Sequence, residues 1–313
     1  MAGRLQLPPL PDVGDDRFQR KLLSVMKVNS MAPEGKLNYS WSTTCRAPHK
    51  WMYLWDGMAQ TVSMAHVPTV GPALARDYIR TFFQFQDQAT GHLCSVIAPP
   101  GGTTGGCSTD ASVPNVAITV WDIHKLDPDT DFLRWIFPKL EAYVEWDRTW
   151  GAPPTSSSKY GAWNPEIKYL LKWGDAGDAG MDHEQNFCPG GTYWHKADGE
   201  WGTQCNADHF ALDFANYVIW EAQALAKMAA ELSLPGRTRY WTSLAANITE
   251  EMDRWMWDEA TGMHYDLFPN GSRTPFKTIA AFCEPSRPPP RPSPPSPPPA
   301  SSLCASLPLC DVL

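Results

Sequence analysis

Apolar residues recur along this chain at intervals of three and four, with almost no two-residue alternation, so helices rather than strands organise it. A short amphipathic piece is predicted at 18–28. Leu74, Tyr78, Phe82 and Phe85 then place one apolar stripe on a helix over 70–87. Two more helices follow at 114–126 and 131–149, joined by the turn Asp127-Pro128-Asp129, and Phe132, Trp135, Ile136, Leu140, Tyr143 and Val144 line the second. After an irregular segment at 151–206 comes another pair, 207–234 and 236–257, separated by Pro235-Gly236. Its first helix is lined by Phe210, Phe214, Tyr217, Leu225, Met228 and Leu232, with Glu221 on the same stripe. Repeated helical hairpins predict an all-α fold: a bundle, solenoid or toroid.

Three segments interrupt the pattern. Pro99-Pro-Gly-Gly-Thr-Thr-Gly-Gly106 lacks the Lys-Ser/Thr ending of a phosphate-cradling loop and reads as a flexible connection. The segment at 151–206 is long enough to be a lid or binding loop. From Ser286 to Pro299 the chain is proline-rich, a polyproline II tract that cannot build a core. The chain therefore divides into a lead-in at 1–28, a helical domain at 29–283, and a disordered tail at 284–313.

Composition narrows the partners. A hydrophobic content of 43% suits a globular domain, and a net charge of -8 leaves no footprint for nucleic acid. No apolar run spans a membrane, and residues 1–16 show no apolar core of a signal peptide. Yet Asn38-Tyr-Ser40, Asn247-Ile-Thr249 and Asn270-Gly-Ser272 are glycosylation sequons, which leave the secretory pathway open. The eight cysteines show no zinc spacing and are expected as buried thiols. In an oxidising compartment, Cys94 with Cys107, or Cys188 with Cys205, would close loops.

Candidate chemistry lies in the loop Trp173-Gly-Asp-Ala-Gly-Asp-Ala-Gly-Met-Asp182. Indoles stack on pyranose faces, and carboxylates bind hydroxyls or exchange a proton with a glycosidic oxygen. Asp182 is the candidate general acid. The same residues also read as turn chemistry, with glycine supplying positive φ and aspartate bonding its own backbone. Asp175, Asp178, Asp182 and Glu184 do not follow the spacing of a helix-loop-helix calcium site, and no metal or cofactor is expected. A second site is Trp51-Met-Tyr-Leu-Trp55-Asp56, near Trp41 and His49, where an indole beside a carboxylate offers a stacking face and a grip on vicinal hydroxyls. Core packing is the competing reading.

These motifs come in a recognisable order. Trp51-x-x-x-Trp55-Asp56, Leu74-Ala75, Phe82-x-x-Phe85-Gln86, Ala179-Gly-Met-Asp182, Asp208-x-x-x-x-Asp213, and Trp257-Asp-x-x-Thr-Gly262-x-x-Tyr265-Asp266 resemble glycoside hydrolase family 63 across about 29–282. That family includes processing α-glucosidases, with the related mannosylglycerate hydrolases and trehalases sharing its (α/α)6 toroid. The resemblance implies an inverting glycosidase acting on a carbohydrate, with Asp182 as general acid. It also implies Trp51, Trp55, Asp56, Gln86, Trp173 and Asp178 as sugar-binding residues. Asp178 stands where the family has glutamate, one methylene longer. Val113, in Ser112-Val-Pro-Asn115, replaces a family glutamine before a helix on which Trp121 offers an aromatic wall.

Inversion needs a second carboxylate, about 6.5–9.5 Å from the acid, to activate water. The family's glutamate base lies near the end of the toroid. Here proline-rich sequence follows Phe282, so the toroid is expected to be incomplete and the base is not identified among Glu184, Glu221 and Glu284. Three readings follow: an active glycosidase, a carbohydrate-binding remnant without its base, or a helical scaffold that keeps only the aromatic motifs.

Overall fold

The computed structural model describes residues 16–45, 51–67, 69–98, 107–108, 111–155, 161–174, 179, 194–195, 201–202 and 209–282. The glycine-rich loop, Cys188 and Cys205, and the proline-rich tract lie outside them. The described residues are mostly helical. Helix α1 spans Asp16–Asn29, α2 Leu54–Ala65, α3 Gly71–Gln84, α4 Val116–Leu126, α5 Thr130–Trp150, α6 Leu212–Glu231 and α7 Pro235–Glu251, the last running into a π turn at Met252–Met256. Strands are two residues long and pair as antiparallel ribbons, among them β1 Ser30–Met31 with β2 Trp41–Ser42, and β3 Met52–Tyr53 with β4 Val96–Ile97.

Local chemistry sets the helix ends. Pro72 and Pro235 sit in the first turns of α3 and α7, where a missing N–H costs no helical bond. Asp129 caps α5 by accepting from the Phe132 amide at 2.9 Å, which fixes the tight turn between α4 and α5. Between α2 and α3 the chain turns so closely that a Cβ on Gly71 would lie 2.2 Å from the Met64 carbonyl oxygen, so only glycine fits.

Packing follows an alternating rule. Helices α2, α4 and α6 pack in succession, while α3 bridges α2 and α4, and α5 bridges α4 and α6. Each hairpin thus contributes one inner and one outer helix, the arrangement of a helical toroid. The last hairpin shows the division most clearly. Helix α6 is buried almost all round, whereas α7 buries Trp241, Leu244, Ala245 and Ile248 on one face. A continuous apolar core runs from Leu37 to Ala280, and a satellite of Met64, Val67 and Tyr78 receives Leu23 and Met26 of α1.

Two expectations are corrected. Trp135, placed on the apolar stripe of α5, is 40% exposed and lies under the Lys139 ammonium, 5.6 Å from its ring centre. A face wide enough for Phe132, Ile136 and Leu140 leaves the ring at its margin. Cys94 and Cys107 form the loop-closing disulfide expected of them in an oxidising compartment, in place of the buried thiols expected by default. Pairing of β3 with β4, and the backbone bridge of Ile97 to Cys107, bring the two sulfurs together. Sequence separation is 13 residues, for which loop-closure entropy predicts about 3 kcal/mol. The double variant Cys94→Ala, Cys107→Ala is expected to lose that much in urea unfolding, and an unchanged midpoint would refute it.

Candidate active site

The exposed start of α2 gathers three of the residues picked out in the sequence. Trp51 precedes β3 and is 38% exposed, its carbonyl accepting from the Thr43 hydroxyl at 3.1 Å. Trp55, 36% exposed, and Asp56 occupy the first helical turn, where a carboxylate complements the helix dipole. The Asn115 amide nitrogen donates to the Trp55 carbonyl at 3.3 Å, so the starts of α2 and α4 lie side by side. In the sequence Asn115 is visible only as the end of the departing Ser-Val-Pro-Asn turn. These features leave two large indoles and a carboxylate facing solvent where two inner helices begin.

Gln86 and Trp173 sit elsewhere. Gln86 is 7% exposed, and its amide nitrogen donates to the carbonyls of Gly91 at 2.9 Å and Lys139 at 2.8 Å. Both amide hydrogens are thereby taken, tying the turn after α3 to α5. Trp173 is fully buried. Its ring stacks on Phe214 at 3.9 Å with 6° between planes, and its Nε1–H donates to Asp213 Oδ1 at 2.9 Å. The flanking backbone is held too, Lys172 N–H donating to the Gly151 carbonyl and Ala211 N–H to that of Leu171. The chain therefore enters the glycine-rich acidic loop from a point fastened to the first turn of α6. Asp175, Asp178, Asp182 and Glu184 lie outside the described residues.

Asp213 belongs to a buried polar group that spacing did not reveal. Its Oδ1 also accepts from the Phe214 amide at 2.8 Å, while Asp266 accepts from the Leu212 amide at 2.7 Å and lies 3.9 Å from His209 Nε2. Burial first, then the Asp266 charge, push the Asp213 carboxyl up to about 7, against the pull of the Trp173 donor. The two aspartates appear in the sequence as separate motif positions, 53 residues apart. Pairing of Phe210 with Leu267 brings them to one end of α6.

Removing the Trp173 donor tests this fastening. Trp173→Phe keeps an aromatic ring for Phe214 but leaves Asp213 Oδ1 one donor short, and is expected to cost about 1–3 kcal/mol in urea unfolding. A cost no larger than that of a surface substitution would show that the bond contributes nothing.

Glu221 has a different task. It lies mid-way along α6, fully buried, its two carboxylate oxygens accepting from the Ala117 and Ile118 amides at 2.9 Å each. It caps the otherwise unbonded start of α4 in the core. Burial pushes its carboxyl up to about 7 in spite of those bonds. Tyr143 of α5 lies close by, and burial together with Asp147 and Glu221 raises its phenol well above the ordinary value. Among the described residues, both Glu221 carboxylate oxygens are engaged by backbone amides, and the residue has no exposed surface. None of the described helices is long and apolar enough to cross a membrane.

This arrangement has counterparts. Residues 48–284 match the family model of the mannosylglycerate hydrolase MGH1-like glycoside hydrolase domain. Among solved structures, the fold is similar to the family 63 mannosylglycerate hydrolase from Thermus thermophilus in complex with glucose, at 16% identity and a TM-score of 0.62, covering 84% of this chain and 70% of that one. The same enzyme with Tris and D-glycerate gives 16% identity and 0.62, covering 84% and 71%. A sialidase is similar at 13% identity and 0.52, covering 83% of this chain and 20% of that one. At these identities the structural likeness speaks for the fold, a helical toroid. No curated protein matches the chain by sequence. The family match spans both the exposed start of α2 and the acidic loop, and the chain is a member of the mannosylglycerate hydrolase MGH1-like glycoside hydrolase family.

Proposed function

We propose that the chain hydrolyses an α-glycosidic bond in a small glucoside, mannoside or oligosaccharide with inversion, Asp182 protonating the leaving oxygen. The observation that carries this reading is the pair of exposed indoles beside Asp56 at the start of α2, within the same family match as the Asp182 loop. Trp51 and Trp55 stack on the sugar, Asp56 accepts from its hydroxyls, and Asp178 reaches another hydroxyl from the loop. Trp173 and Gln86 act from behind, holding the loop start and the turn after α3 in place. Glucose and glycerate in the related hydrolase make mannosylglycerate and its glucosyl counterpart the first substrates to try.

A second reading is favoured by the state of Glu221: with that carboxylate engaged in capping α4, the described residues hold no candidate base, and the chain reads as a carbohydrate-binding protein that lacks one. One experiment separates the two. Mannosylglycerate and a panel of α-glucosides are incubated with the full chain, the anomer first released is read by proton resonance, and binding is followed by calorimetry. Turnover giving the β-anomer supports inversion, and the α-anomer overturns it. Binding without turnover favours the second reading, and neither binding nor turnover sinks both.

A further inference from the structure

We infer that Asn38 and Asn270 are N-glycosylated and that Asn247 is not, so that the chain matures in an oxidising secretory compartment. Two independent observations meet here. The Cys94–Cys107 disulfide, with Cys94 fully buried, belongs to a compartment in which thiols are oxidised. The three sequons, in turn, differ in what the fold makes of them.

Asn270 is exposed at a turn in which the Phe268 N–H donates to the Ser272 carbonyl, and Gly271 takes φ +89°. Its side-chain oxygen accepts from the Ser272 amide at 2.9 Å and from the Ser272 hydroxyl at 2.7 Å. The carboxamide oxygen is thus turned inward to the serine that completes the sequon, and the Nδ2 amide is left as the outer group. Asn38 is exposed in the loop joining β1 to β2. Its own N–H is fixed to Gln84 Oε1 at 3.0 Å, and the Ser40 carbonyl is fixed by Thr81, so the side chain leaves a held backbone towards solvent.

Asn247 lies inside α7 and is half-buried. Two residues along a helix are about 200° apart, so Thr249 faces away from it. The Thr249 hydroxyl is bonded back to the Ala245 carbonyl at 2.9 Å instead. A sugar on Asn247 would have to leave from between packed helical turns.

The donor this chemistry requires is a lipid-linked oligosaccharyl diphosphate. The asparagine Nδ2 attacks the anomeric carbon, the carbon–oxygen bond to the diphosphate breaks with its electron pair leaving on phosphate, and one amide proton is lost to a base. The product is an N-glycosidic bond, with no change of oxidation state.

The test is peptide mapping of the full chain isolated from its own cells, with thiols blocked before lysis. N-glycans are removed enzymatically in heavy-oxygen water, so that each occupied asparagine becomes a labelled aspartate. Label at Asn38 and Asn270, none at Asn247, and Cys94 recovered in one disulfide-linked peptide with Cys107 are expected. Ser272→Ala expressed in the same cells should lose the glycan at Asn270 and keep that at Asn38. An unlabelled asparagine at 38 or 270 overturns that site, and label confined to Asn247, or a blocked Cys94 thiol, overturns the proposal as a whole.

Discussion

Asp182→Asn is expected to lower turnover of a natural glycoside by about 10²–10⁴-fold while leaving substrate binding nearly intact, since the amide keeps the size and hydrogen-bonding reach of the acid but cannot give up a proton to the leaving oxygen. The size of the loss should depend on the leaving group. A sugar or glycerate alkoxide needs protonation to depart, whereas a phenolate of low pKa does not, so the variant should recover most of its rate on an aryl α-glycoside with an acidic phenol. A mispositioned loop would slow both substrates alike. The basic limb of the kcat/KM profile, which reports the acid losing its proton, should also disappear in the variant. Equal losses on both substrates, with the basic limb retained, would remove Asp182 from the acid role.

How the loop is held bears on a contrast between what the chain displays and what it conceals. Helices α3, α5, α6 and α7 are legible because amphipathic stripes, Asp129 as a cap, and Pro72 and Pro235 in first turns act over three or four residues. The family and its toroid are legible because an ordered set of motifs survives in one dimension. What escapes is pairing at a distance. Trp173 reads as a sugar platform because an indole beside three carboxylates furnishes one, yet its N–H partner lies 40 residues on, and its stacking partner next to that. Asp213 and Asp266 likewise look like independent motif residues until Phe210 pairs with Leu267.

The separation also explains the two kinds of aromatic in this chain. Trp41, Trp173 and Trp241 are fully buried, while Trp51 and Trp55 remain exposed at a helix start. Composition treats them alike. What decides is the position of each residue on its own element: Trp241 lies on the buried face of the outer helix α7, whereas Trp51 and Trp55 stand at the exposed start of the inner helix α2. Fully buried indoles whose N–H finds a carboxylate, as Trp173 does on Asp213 and Trp241 on Glu141 at 2.6 Å, fasten one element to another.

Glu221→Ala should produce the largest loss of stability of any substitution considered. It removes the acceptor for the Ala117 and Ile118 amides inside the core, each left unsatisfied at about 1–3 kcal/mol, and opens a cavity between α4 and α6, for a total of about 3–5 kcal/mol. Glu221→Gln keeps one acceptor oxygen and should cost less, but it carries the sharper signal, which lies in pH. The Glu221 carboxyl is raised from 4.5 to about 7 on folding. Below the unfolded value both states hold the proton and the stabilisation is complete. As pH rises above it the unfolded chain ionises first, and stability falls by about 1.4 kcal/mol per unit for this group until the folded carboxyl also ionises near 7. Asp213, raised from 3.8 to about 7, works in the same direction over the same window. Urea unfolding of the native chain at about pH 5 and about pH 8 should therefore show greater stability at the lower pH from these two carboxyls. Glu221→Gln should lose about half of that difference, and Glu221→Gln with Asp213→Asn most of it. If Glu221→Gln unfolds with the same pH dependence as the native chain, the α4 cap is not a buried carboxyl that holds its proton to neutral pH.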